Sequence, residues 1–65
     1  MEIYFDYEPL LGVNVTIHTL DGVQYDYFSS MYMFRSWMNL ECPDAKVVEV
    51  TAENYELLRD KGKIS

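Results

Sequence analysis

Apolar and polar positions alternate along the first part of the chain, and the period then lengthens. In residues 2 to 8, Ile3, Phe5 and Tyr7 stand opposite Glu2, Tyr4, Asp6 and Glu8, the two-residue period of an edge strand or an extended arm, which Pro9 ends. Alternation resumes after Gly12: from Val13 to Thr19, Val13, Val15 and Ile17 share one face and Asn14, Thr16 and His18 the other. Asp21-Gly22 follows, a pair favoured in tight hairpins because both positions must accept positive φ. The return strand, Val23 to Phe28, sets Val23, Tyr25 and Tyr27 against Gln24, Asp26 and Phe28.

From Ser29 the spacing becomes helical. Plotted at about 100° per residue, Met33, Leu40, Trp37, Phe34, Met38 and Met31 sweep an arc of roughly 180°, whereas a core-facing stripe needs little more than 100°. Part of this helix is therefore expected to meet another molecule: either Met31, Phe34 and Met38 face the sheet while Met33, Trp37 and Leu40 meet a partner, or the reverse. Ser29 or Ser30 can cap the first turn, and Cys42-Pro43 closes the helix, because a residue before proline is pushed out of the α region. Ala45 to Val50 reads as a short strand. Thr51 then resembles an N-cap, with Glu53 in the first turn, Val50 and Tyr55 placed as a hydrophobic staple, and Arg59 and Lys61 ahead of Gly62 at C′. A C-terminal helix over 52–61 follows.

These elements predict a single small α+β domain over residues 1–65. Counting strands from Val13, the helix returns the third strand parallel to the second, so it pairs most simply beside the first. The result is a three-stranded antiparallel sheet of order 2-1-3, with a helix between strands 2 and 3 and a short C-terminal helix. Outer strands left open are sites for pairing with another chain.

Composition strengthens the case for self-association. A chain of 65 residues buries only about 60% of the surface its unfolded form exposes. Small scaffolds usually add a disulfide, a metal or a partner. One cysteine, Cys42, and one histidine, His18, leave the partner, and a homodimer is expected. Hydrophobic content of 49% argues for a folded chain, and no apolar run reaches membrane-span length. The N-terminus lacks the basic and apolar regions of a signal peptide, which with the lone thiol points to the cytoplasm.

Charge narrows the choice of partner. The net charge is −6, and residues 1 to 34 hold Glu2, Asp6, Glu8, Asp21 and Asp26 but no Lys or Arg. Such a field repels nucleic acid and attracts proteins that bind it. Catalytic chemistry has little to work with. His18 lies on a polar strand face with no serine, cysteine or carboxylate at a known motif spacing, and Cys42 sits among Glu41 and Asp44, which raise a thiol pKa. Glu53 and Glu56 read as a solvated helix face, and no phosphate loop, metal motif or dinucleotide fingerprint appears. No catalytic site, no metal and no cofactor are expected. A small enzyme would need a pocket joining His18 to a carboxylate.

Val15-Thr16, Asp21-Gly22-x-Gln24-Tyr25 and Lys63-Ile64-Ser65 together resemble the small dimeric uracil-DNA glycosylase inhibitors encoded by some bacteriophages, over roughly residues 13 to 50. The resemblance implies a non-enzymatic DNA mimic in the host cytoplasm. Two protomers would set their helices side by side, forming an apolar pocket that grips the leucine the glycosylase inserts into DNA, while acidic groups imitate phosphates. Counted from the Asp-Gly turn, Trp37 falls where the family has an aromatic residue, usually phenylalanine. A second aromatic one turn later would fall on Glu41, and the helix over 52–61 has no counterpart. On this reading Trp37, Met33, Phe34, Leu40 and Tyr25 bind the partner, and Glu2, Asp6, Glu8, Asp21 and Asp26 supply charge. The alternative is a small acidic protein that inhibits another nucleic-acid enzyme, such as a nuclease or restriction system, or an antitoxin-like partner.

Overall fold

A computed structural model describes residues Met1 to Ser65 as six elements: β1 (Glu2–Glu8), β2 (Gly12–Thr19), β3 (Gly22–Phe28), α1 (Met31–Glu41), β4 (Lys46–Glu49) and α2 (Tyr55–Asp60). The strands form one mixed sheet in the order β3-β2-β1-β4, in which β2 is antiparallel to both neighbours and β1 is parallel to β4. The α+β class and the α1 crossover agree with the sequence pattern. The three-stranded antiparallel sheet does not: residues 2 to 8 are an interior strand, inserted where β4 was expected to meet β2.

The burial of β1 gives the reason. Ile3 is fully buried on the α1 side and Tyr4 is 4% exposed on the opposite side. Residues buried on both faces favour a place inside the sheet, where both edges of Glu2–Phe5 are paired, one with β2 and the other with β4. α1 therefore carries the chain from β3 past β2 and β1 before β4 pairs with Glu2 to Phe5.

The hairpin between β2 and β3 also differs in detail. Thr19 pairs with Gly22, so Leu20 and Asp21 form the tip. Only Gly22 takes a positive φ, 131°, and Asp21 does not. The Thr19 hydroxyl supplies local support instead, accepting from the Asp21 N–H at 3.1 Å.

One core lies between the sheet and α1. Ile3, Val13, Val15 and Ile17 point at Phe34, with Cys42 closing one end and Phe5, Phe28, Met31 and Met38 packed around them. The Phe34 ring lies 5.0 Å from that of Phe5 and 5.6 Å from that of Phe28, in tilted arrangements. Ser30 caps α1 by accepting the Met33 N–H at 3.2 Å, and the Cys42 N–H closes it on the Met38 carbonyl at 2.9 Å.

α2 is shorter than the sequence pattern predicts: a turn opened at Thr51 leads into it, and the regular helix begins only at Tyr55. The Thr51 N–H donates to Asn54 Oδ1 at 2.7 Å, and the Asn54 N–H returns a bond to Thr51 Oγ1 at 3.3 Å. Asn54 also donates to the Glu49 carbonyl; the reciprocal Thr51–Asn54 bonds satisfy first-turn donors in the manner of a capping box, and the Tyr55 N–H bonds the Thr51 carbonyl at 3.0 Å, so Thr51 keeps the capping role expected of it. The other end is as expected. Gly62 has φ 74°, its N–H bonds to the Arg59 carbonyl, and the Lys63 N–H bonds to the Leu58 carbonyl, which together make a Schellman motif.

Candidate partner-binding site

α1 divides its apolar arc in two. Met31, Phe34 and Met38 pack toward the sheet. Met33 and Leu40 are 52% and 81% exposed, one on each side of Trp37 along the i, i+4, i+7 row. Trp37 belongs to both halves. Its ring stacks at 6.3 Å on Phe34 and lies 5.3 Å from Phe28, yet it is only half-buried. Ser29 donates to the Met33 sulfur at 3.1 Å, which holds the near end of the row. Phe34, expected to line a partner pocket beside Trp37, is fully buried and spends its ring on the core, supporting Trp37 from beneath. Tyr32, 80% exposed on the other flank of the helix, was not singled out from the sequence. An aromatic residue on the polar side of a helix was the available signal.

The five acidic residues expected to act together are spread over the molecule. Glu2 is engaged: it accepts the Tyr4 hydroxyl at 2.7 Å and the Lys63 ammonium at 3.1 Å, and these bonds hold its carboxyl below the usual range. It is thus the least available of the five to imitate a phosphate. Asp6 and Glu8 are exposed and share the sheet face turned away from α1. Asp21 stands at the hairpin tip. Asp26 lies on the α1 side of β3, in register with Val15, and accepts the Tyr27 N–H at 2.8 Å. Two residues along the same side is Phe28, on which Trp37 packs. Of the five, Asp26 is therefore the one closest in sequence and face to the open row of α1.

Tyr25 occupies the opposite face of β3, together with Val23 and Tyr27, and all three are exposed. It does not share a surface with Trp37. What joins the two groups is the free edge of β3.

The face turned away from α1 is partly covered by α2 and the residues after it. His18 Nε2 lies 2.8 Å from the Lys63 carbonyl, which only a protonated Nε2 can satisfy, and the Tyr4 ring meets the imidazole edge-on at 5.5 Å. Burial, followed by the bond to Glu2, pushes the Tyr4 hydroxyl up to about 12. Glu2, Tyr4, His18 and Lys63 thus form a clasp that holds the end of the chain to the sheet. Beside it a shallow cleft is lined by Tyr4, Asp6, Asn14, Thr16, Tyr55 and Ile64 among others. Burial and then Glu41 push the Cys42 thiol up, which disfavours the thiolate. No group of three His, Cys, Asp or Glu side chains is placed to hold a metal ion, and no helix is long and apolar enough to cross a membrane.

Comparison with protein-family models, with curated proteins and with solved structures finds no match to this chain.

Proposed function

We propose that this chain is a non-enzymatic inhibitor that acts as a homodimer, mimics DNA, and blocks the DNA-binding cleft of a host uracil-DNA glycosylase. The observation that carries the reading is the open row Met33-Trp37-Leu40 on α1, backed by Phe34 and Phe28 and carried by a chain of net charge −6. An enzyme that inserts an apolar side chain into the base stack brings that side chain and a phosphate-binding surface to the same place. A row of this kind offers the first a dry seat, with about 1.5–3 kcal/mol available for fully burying a leucine. Asp6, Glu8, Asp21 and Asp26 draw the second by long-range attraction. One helix presents a wall and not a socket, so the second copy of α1 supplies the facing wall.

A uracil-excision assay tests the reading. Stoichiometric addition of the protein stops cleavage, and undiminished cleavage at excess removes this target. Trp37→Ala weakens inhibition by about tenfold or more, as expected for a hot spot worth at least about 1.4 kcal/mol. Recovery of a different nucleic-acid enzyme from a bacterial lysate, together with full glycosylase activity, would move the same surface to that enzyme.

A further inference from the structure

The sheet has two edges of different character. β4 offers Lys46–Glu49, a short strand that begins with a lysine, and both features discourage edge pairing. β3 offers seven residues, GVQYDYF, exposed from Gly22 to Tyr27. It has no lysine or proline, and its register with β2 runs unbroken by any bulge. Val and Tyr on one face give it high strand propensity. The one protection on this edge is Asp26, whose carboxylate accepts the Tyr27 N–H at 2.8 Å and would have to release it for the strand to pair.

We propose that two copies of the chain join β3 to β3, antiparallel, about a two-fold axis at Tyr25, fusing the two four-stranded sheets into one and placing both α1 helices on the same side. This rests on the homodimer of the proposed function and specifies its contact. An axis perpendicular to the sheet keeps each residue on its own face, so it must pass through a residue position and not between two. An axis at Asp26 sets two carboxylates against each other, and one at Gln24 leaves Tyr27 and Phe28 unpaired. At Tyr25 the whole strand pairs. Gln24 then faces Asp26 of the other copy, an amide that can donate to a carboxylate. Val23 faces Tyr27, a favourable β-branched and aromatic pair. Phe28 faces Gly22, above which there is open space. Because Trp37 leans on Phe28, the open rows of the two α1 helices are drawn toward the shared strands.

Charge at position 24 tests this contact, since Gln24 is exposed on the edge strand. Gln24→Asp sets carboxylate against carboxylate twice per dimer and raises the dimer dissociation constant about tenfold in sedimentation equilibrium, whereas Gln24→Lys lowers it. Tyr25→Cys gives a covalent dimer on oxidation, because facing strand residues lie within disulfide reach, and Cys42 is buried. A wild-type chain that stays monomeric at high concentration overturns the contact. So does a dimer indifferent to both Gln24 variants, or one that fails to cross-link through position 25. Uracil excision measured on the same samples separates the two proposals: inhibition by a dimer indifferent to position 24 removes only this interface, and a responsive dimer without inhibition removes only the target.

Discussion

Gly12 shows how one residue can be fixed by its surroundings. Its φ is 103°, and an added Cβ would lie 2.5 Å from the Tyr27 hydroxyl oxygen and 2.6 Å from the Phe28 carbonyl oxygen. Gly12→Ala is therefore expected to cost about 1–3 kcal/mol, read as a lower urea midpoint with unchanged slope. The sequence marked Gly12 as a break between strands, but the close approach of Tyr27, which donates to the Leu11 carbonyl at 2.6 Å, comes from a partner strand. Phe34 and Trp37 make the same point. Three residues apart on one arc, both read as candidate contacts, and only the packing of Phe5 and Phe28 on Phe34 assigns one to the core. Phe34→Ala should lower stability by about 3–5 kcal/mol. Trp37→Ala should cost less stability than that while giving up the partner contact, and thermal unfolding beside a binding assay distinguishes them.

Among the elements, β1 was the one the sequence misplaced. Its outer face reads as polar, with Glu2, Tyr4 and Asp6, and the Glu2–Tyr4 end of that face is covered by residues near the other end of the chain. Period-two alternation reports only which residues share a face, not what arrives to cover it. β3 and α1 were legible because their signals are local: the turn around Asp21-Gly22, the Ser30 cap and the stop at Cys42-Pro43 each act within a few residues. The clasp has a pH signature. Tyr4 carries a hydroxyl raised from 10.0 to about 12 in the folded chain, so its contribution is fully present below pH 10 and is lost as pH rises toward about 12. Glu2 works in the opposite direction, with a carboxyl lowered from 4.5, so its contribution is present above that pH and lost as pH falls through the lowered value. Tyr4→Phe should abolish the alkaline loss, measured as the unfolding midpoint against pH from 9 to 12.

The whole molecule presents two unspent surfaces, the open row of α1 and the free edge of β3, and both lie on the side where Phe28 meets Trp37. The acidic balance of the first half was legible in the sequence, but the arrangement of its acids was not. Five carboxylates read as one acidic half resolve into one engaged by Lys63 and four divided between two sheet faces and a hairpin tip. The most direct test of the account is a titration of uracil-DNA glycosylase with the wild-type chain, followed by uracil excision. The account predicts activity falling linearly to zero at two chains per enzyme, with Trp37→Ala shifted to higher concentration. Full activity at a large excess of folded wild-type chain would contradict it.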